Sequence, residues 1–198
     1  MKGPPLRQWV AWLMALPLRL YIRKIRGKEH LPRGACVLAC SHGSILDGPL
    51  VAHAIWPRPL QALVDDTYAK IPVVGSWLRL VRVLWVDWNN PGKVVPEAVQ
   101  AVREGYTLIV FPDGGLADNV MTHPKTGAAR IALQAGVPLV PLRLIGSQRI
   151  MLRSGFPHFR RADIIIGKVM DTRSYDADSR KDVRLLTKKL SQTINALR

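Results

Sequence analysis

Short apolar runs alternate along the chain with segments whose apolar residues recur at helical spacing. Each run is bounded by turn-forming residues, a pattern typical of buried strands. The predicted strands are ACVLAC, LQALVD, VLWVDW, TLIVFP, VPLVPLRLIG and ADIIIG; the predicted helices lie in SILDGPLVAHAIW, YAKIPVVGSWLRLV (broken near Pro72 and Gly75), VVPEAVQAVREG, PKTGAARIALQAG and the segment that begins near Asp178. This alternation predicts a single α/β domain with a mostly parallel central sheet covered by helices.

The beginning of the chain differs because residues 8–18 carry no charge and include two tryptophans. This stretch is shorter than the roughly 18 residues that span a bilayer, and Pro17 interrupts it. We therefore expect residues 1–30 to form a membrane-interfacial helical segment, an apolar wedge followed by the basic stretch RLYIRKIRGK, and residues 31–198 to form the α/β domain. No small-residue cleavage pattern follows, which argues against a signal peptide. A core helix with a solvated basic face stays open as the alternative.

The formal net charge of +15 is concentrated at the two ends of the chain. Residues 1–33 have an excess of seven basic residues and residues 143–198 an excess of eight, whereas residues 34–142 are balanced. Nucleic-acid enzymes usually surround their working site with basic residues, so this distribution argues against a nucleic-acid partner. Each Lys or Arg near an anionic leaflet contributes about 1 kcal/mol. We therefore expect a peripheral membrane protein that binds an anionic membrane surface, at its cytoplasmic face.

Neither a metal nor a cofactor is indicated by the sequence. The only two cysteines, Cys36 and Cys40, lie in one apolar run and are expected to be buried, reduced thiols on the same side of a strand. No histidine or cysteine cluster has metal-ligand spacing, and no phosphate-loop or dinucleotide glycine pattern is present. The chemistry is therefore expected to depend on side chains and co-substrates alone.

Candidate site residues follow three of the predicted strands. In parallel sheets, ligands collect beyond the carboxyl ends of the strands. The first strand is followed by Ser41 and His42, the third ends with Trp88 and leads to Asn89, and the fourth is followed by Asp113, Gly114 and Gly115. If these strands run parallel, the residues meet at one edge of the sheet, and we expect the site there.

Within the stretch CSHGSILDGPL, His42 and Asp47 form a candidate catalytic pair. On a regular helix two residues five apart lie about 140° from each other, so they touch only if His42 precedes the helix. Gly43 supplies the backbone freedom for this, and Ser44 is the expected N-cap. Asp47 can then hold one ring N–H, and the other nitrogen could act as a general base, for example toward an alcohol that attacks an activated acyl thioester. HGSILDG is not the Gly-x-Ser-x-Gly nucleophile elbow, so a serine hydrolase has little support.

The order of SHGSILD, FPDGG and VPLVPL resembles the glycerolipid acyltransferase family, whose members carry His-x-x-x-x-Asp, Phe-Pro-Glu-Gly and Val-Pro-x-x-Pro blocks in that order. The resemblance covers residues 27–146. VDWNNPGKVVPEAVQAVREG is especially similar to the acyltransferase half of 2-acylglycerophosphoethanolamine acyltransferases. The resemblance implies transfer of an acyl chain from acyl-CoA or acyl carrier protein to a lysophospholipid. It also implies that His42 is the base and Asp47 its orienting partner.

The chain departs from this family where the acceptor phosphate is expected to bind. Trp88 stands where the second motif usually ends in an arginine, and GGLAD replaces a block that brings another. Either nearby cations substitute, or the acceptor has a zwitterionic, amide-linked or sugar headgroup. The candidate substitutes are Arg82, Lys125 and Arg130, together with the backbone N–H groups of Gly114 and Gly115. Asp113, in place of the family's glutamate, either accepts a hydrogen bond from the acceptor hydroxyl, which we favour, or caps the turn.

Two other functions remain open from the sequence. A thioester or lipid hydrolase would use the same histidine and aspartate with water in place of the alcohol. A catalytically weak lipid-binding accessory protein is suggested by the two missing arginines.

Overall fold

The computed structural model describes residues 3–114, 120–151 and 158–198, which form a seven-stranded sheet with helices on both faces. The strands are β1 (Ile22–Arg26), β2 (Val37–Cys40), β3 (Leu60–Asp65), β4 (Leu84–Val86), β5 (Thr107–Val110), β6 (Leu139–Ile145) and β7 (Ala162–Ile166). The helices are α1 (Leu6–Met14), α2 (Asp47–Ile55), α3 (Pro72–Val81), α4 (Val94–Arg103), α5 (Gly127–Ala135) and α6 (Arg180–Ala196), and short 3₁₀ turns lie between some of them.

The strand order is β1-β7-β6-β2-β5-β3-β4. Strand β7 runs antiparallel to β6, and every other neighbouring pair is parallel. The predicted α/β fold with a mostly parallel sheet is therefore confirmed. Because β2, β3, β4 and β5 are parallel, their carboxyl ends lie at the same edge, and the residues that follow them are brought together there.

Two apolar layers cover the sheet. Alternate residues of β2 divide between them: Leu38 packs with α2 and α3 on one face, and Val37 packs with α4, α5 and α6 on the other. Cys36 and Cys40 are free thiols that share the first of these faces, as predicted. A strand buried on both faces is typical of parallel sheets and explains why the ACVLAC run is apolar throughout.

Residues 3–30 pack as part of this fold. Helix α1 lies against α3, and the Trp77 indole Nε1 donates to the Ala11 carbonyl at 3.2 Å. Strand β1, which we had placed in the basic interfacial stretch, forms the edge of the sheet beside β7. Ile22 is buried there, whereas Arg23 forms an ion pair with the buried carboxylate of Asp163 at 2.5 Å. The apolar pattern did not predict this strand, because most of its residues are basic.

Glycine and proline residues mark several helix boundaries, and one predicted helix break is wrong. Gly136 follows α5 in a left-handed conformation with φ of 67°. The expected break at Gly75 is wrong, because α3 continues through it. A Cβ at Gly75 would lie 2.6 Å from the Ala69 carbonyl oxygen, so glycine is required here for a close approach to the turn at Asp66–Lys70. Within the three described ranges, no helix has the length and apolar character needed to cross a bilayer.

Candidate active site

The loop between β2 and α2 brings His42 and Asp47 into contact. His42 lies in the loop and Asp47 is the first residue of α2, so the helix does not hold them apart. The His42 Nδ1 lies 3.0 Å from the Asp47 Oδ2. The Asp47 side chain is completely buried, whereas 18% of the His42 side chain is exposed. The ring is thus anchored at Nδ1 and reachable from outside.

The Asp47 carboxylate is held from three directions. Besides the histidine contact, its Oδ2 accepts hydrogen bonds from the backbone N–H of Gly43 at 2.7 Å and of Ser44 at 2.9 Å. Its position in the first turn of α2 places the negative charge at the positive end of the helix dipole. Ser44 is not the N-cap that we expected. Because α2 begins only at Asp47, the Ser44 hydroxyl instead accepts from the Leu46 N–H, at 3.3 Å, within the loop.

The other side of the imidazole faces an aromatic ring that the sequence analysis did not single out. Phe111, which follows β5, stacks on His42 with ring centroids 4.1 Å apart and planes inclined by 26°. An ionised carboxylate only accepts hydrogen bonds, so the His42 Nδ1 carries the proton and Nε2 presents a lone pair. Nε2 has no hydrogen-bond partner among the described residues. The ring is therefore held in one orientation, with Nε2 left unblocked by the described residues.

His42 lines a cavity of about 820 Å³. The cavity extends between the sheet and helices α1, α2 and α3, and it continues over the strand ends toward α4 and α5. Its walls beneath α1 are mainly apolar and include Ala11, Leu18, Leu60, Ala62, Leu78 and Val81. A long apolar chain can therefore occupy this space without leaving polar groups unpaired.

One buried polar residue fixes α1 over the cavity. The Gln8 side-chain amide donates to the Leu60 carbonyl at 2.5 Å and accepts from the Leu60 N–H at 3.2 Å. It also donates to the Val81 carbonyl at 3.3 Å. These bonds tie α1 to both β3 and the end of α3. The only sequence signal for this role of Gln8 was its position as a single amide at the start of an otherwise apolar stretch.

A second cluster forms around Trp88, beyond the end of β4. The indole Nε1 of Trp88 donates to the Asp65 carboxylate at 2.7 Å, and the Lys125 ammonium lies 3.6 Å from the centre of the indole ring. Gly114 packs against both, because a Cβ there would lie 2.6 Å from the Lys125 Nζ and 3.0 Å from the Trp88 ring. All four residues line the cavity. The structure therefore brings Trp88, Gly114 and Lys125 together with His42, and adds Asp65.

The remaining predicted site residues are placed differently. Asp113 is not part of the cavity wall. Its Oδ2 is buried without a described hydrogen-bond partner, and burial raises the pKa of this carboxyl. The Gly114 N–H is not free to bind a phosphate, because it donates to the Phe111 carbonyl at 3.1 Å within the turn.

Of the three cationic side chains that we expected near the site, two line the cavity and one does not. Arg130 lines the cavity, as Lys125 does. Arg82 does not, because it lies before β4, at the amino ends of the strands and therefore at the opposite edge of the sheet from the site. Gly115 lies outside the described residues.

Comparisons with known proteins agree with this architecture. The family model described as Acyltransferase matches residues 22–145, which include the His42–Asp47 pair. The chain is 29% identical to the probable 1-acyl-sn-glycerol-3-phosphate acyltransferase of Mycoplasma pneumoniae over 142 residues, 66% of this chain and 53% of that protein. It is 28% identical to the 1-acyl-sn-glycerol-3-phosphate acyltransferase of Limnanthes douglasii over 145 residues, 70% of this chain and 48% of that protein. The chain thus spans about half the length of these curated relatives.

A solved structure shares the fold. The crystal structure of the 1-acyl-sn-glycerophosphate (LPA) acyltransferase PlsC from Thermotoga maritima matches with a TM-score of 0.71 and 19% sequence identity, covering 96% of this chain and 81% of that one. This similarity concerns the fold, whereas the family model matches more than half of the sequence. The resemblance seen in the sequence motifs is confirmed, and the chain belongs to the acyltransferase family.

Proposed function

We propose that this protein transfers a fatty acyl chain from a thioester, acyl-CoA or acyl carrier protein, to the hydroxyl of a lysophospholipid at a membrane surface. One observation carries the proposal: the His42 ring is anchored through Nδ1 to Asp47, and it lies in the wall of a large apolar cavity. The relatives named 1-acyl-sn-glycerol-3-phosphate acyltransferases support the reaction class.

His42 acts as the general base. Its Nε2 takes the proton of the acceptor hydroxyl as the oxygen attacks the thioester carbonyl. The tetrahedral intermediate then collapses, the carbon–sulfur bond breaks, and the imidazolium returns the proton to the departing thiolate. Asp47 stabilises the imidazolium that exists between these two steps.

No serine of the loop is suited to form an acyl-enzyme. Ser41 is fully buried, and its hydroxyl accepts from the Leu144 N–H at 2.9 Å. Ser44 is also buried, and its hydroxyl belongs to the loop contact with Leu46. Direct attack by the acceptor hydroxyl is therefore favoured over a covalent intermediate.

The acyl chain is expected to occupy the apolar part of the cavity beneath α1. Each methylene group buried there contributes about 0.8 kcal/mol. A chain of ordinary fatty-acid length thus gains enough to place its thioester reproducibly beside His42. Residues that both line the cavity and are exposed form its rim, and most of them are apolar, among them Met14, Ile45, Ile71, Val73 and Val74.

This apolar rim supports docking on a lipid surface, with the lysolipid entering directly from the bilayer. Substitution of Val73, which is 81% exposed, tests whether the rim docks on lipid. Val73→Glu is expected to weaken binding to anionic liposomes about tenfold in co-sedimentation. Leu185→Glu is the matched control, because Leu185 is exposed on α6, which covers the other face of the sheet. Equal losses in both variants would contradict the assignment. We predict that this membrane surface is the cytoplasmic face of the membrane.

The proposal is tested by the products formed from radiolabelled palmitoyl-CoA or palmitoyl-acyl carrier protein and lysophospholipids in mixed micelles. Thin-layer chromatography should show a labelled diacyl lipid whose formation depends on the acceptor. Free fatty acid as the main product would indicate a hydrolase. Binding of lysolipid without any turnover would indicate a lipid-binding protein.

A further inference from the structure

Trp88 separates two opposite charges in the cavity wall. On one side, the Asp65 carboxylate accepts the indole N–H at 2.7 Å. Above the ring, the Lys125 ammonium lies 3.6 Å from its centre. Both charged residues line the same cavity as His42. An anionic and a cationic group are thus presented to any molecule that lies along Trp88.

Neither charge is neutralised by another described side chain. Among the described residues, no ion pair involves Asp65 or Lys125. The Asp65 Oδ1 accepts from both the N–H and the hydroxyl of Thr67, at 2.8 and 2.6 Å. Among the described residues its Oδ2 accepts only the indole N–H, so one lone pair is left for a further donor. The Thr67 bonds lower the pKa of Asp65, which keeps it ionised.

We infer that the acceptor is a zwitterionic lysophospholipid, with its phosphate bound at Lys125 and Arg130 and its ammonium bound between Asp65 and the exposed surface of Trp88. This inference rests on the proposed acyl transfer and names the headgroup for that same site. Aromatic rings and carboxylates both bind ammonium groups, and a lysine binds phosphate as a point charge.

A bare phosphate monoester fits these residues less well. Its charge at neutral pH is about −1.5 to −2, and it would meet the Asp65 carboxylate where an ammonium would be attracted. Trp88 also supplies no charge of its own to the phosphate. In a zwitterionic headgroup, by contrast, the positive and negative ends have a partner each.

The test compares kcat/KM for lysophosphatidylethanolamine and lysophosphatidate, with the same acyl chain, in mixed micelles. The wild type should prefer the zwitterionic acceptor. Asp65→Asn removes the charge with little change of shape and should lower transfer to the zwitterionic acceptor about tenfold, but leave or improve transfer to lysophosphatidate. Trp88→Arg, which adds a cation beside Lys125, should move the preference toward lysophosphatidate.

Asp66→Asn is the matched control, because Asp66 is the exposed neighbour of Asp65 and does not line the cavity. It should leave the acceptor ratio unchanged. A purely structural role for Asp65 would lower transfer to both acceptors in the same proportion. That result, or a wild-type preference for lysophosphatidate, overturns the inference.

A headgroup-binding assay tests this inference independently of the proposed acyl transfer. Full-length His42→Ala protein is titrated with glycerophosphoethanolamine and with glycerol 3-phosphate, and binding is followed by saturation-transfer NMR. Tighter binding of the zwitterion that is lost on adding Asp65→Asn supports the headgroup assignment even if no acyl transfer is found. Equal binding of the two headgroups contradicts it even if acyl transfer is found.

Discussion

Replacement of Asp47 by asparagine tests how the histidine is made a base. The carboxylate lies 3.0 Å from the His42 Nδ1 and is completely buried. Asp47→Asn keeps the size of the side chain and an oxygen that can accept from the Gly43 and Ser44 N–H groups. It removes the negative charge that favours one orientation of the ring and stabilises the imidazolium. The change therefore acts on the proton transfer and leaves the cavity in place.

The expected effect follows from this distance and burial. Two unit charges about 4 Å apart attract by about 4 kcal/mol at an effective dielectric constant of about 20. The amide oxygen retains part of this, so about 3 kcal/mol of stabilisation of the imidazolium is lost. Since about 1.4 kcal/mol corresponds to a factor of ten in rate, kcat should fall about 100-fold.

The assay is the steady-state rate of diacyl-lipid formation at saturating thioester. KM for the lysolipid should change less than about threefold, because Asp47 does not touch the substrate. Asp163→Asn is the control for loss of a buried carboxylate remote from the site, and it should lower stability but not kcat. If Asp47→Asn retains more than a fifth of the wild-type kcat while folded, the orienting role of the carboxylate is refuted.

Three further predictions concern stability and reactivity. The hydrogen bonds and the charge of Arg23 lower the pKa of Asp163. The stability that this pair provides is therefore present above the ordinary Asp pKa of about 3.9 and is lost as the pH falls through the lowered value. The difference in urea stability between wild type and Asp163→Asn should be largest near pH 7 and shrink below about pH 4. Gly114→Ala should cost about 1–2 kcal/mol in urea unfolding, because φ there is 68°. Burial raises the pKa of Cys36 to about 11 and holds that of Cys40 well above its usual range, so Ellman's reagent at pH 8 should label neither thiol until the protein is unfolded.

The edge at which the site lies could be predicted from local sequence signals. Each strand that leads to it is an apolar run followed at once by polar or glycine residues. The rule that parallel strands end at one edge then brings His42, Trp88 and Gly114 together. The His42–Asp47 contact was also accessible, because helical geometry requires the histidine to precede the helix.

Features that depend on tertiary packing could not be predicted from the sequence. The Asp65–Trp88 hydrogen bond joins residues 23 apart, and it exists because β3 and β4 pair in parallel with Asp65 opposite Val86. Arg82 was placed at the site because it is close in sequence to Trp88, but β4 lies between them and carries them to opposite edges. The stacking of Phe111 on His42 likewise depends on the adjacency of β2 and β5.

The rate of acyl transfer by His42→Ala tests the central claim most directly. A general base typically contributes 10²–10⁴ in rate. We predict that transfer to the lysolipid falls by about this factor while the variant retains its thermal stability and its binding to liposomes, and that adding Asp47→Asn to His42→Ala causes little further loss. Transfer by folded His42→Ala at more than a tenth of the wild-type rate would contradict the account.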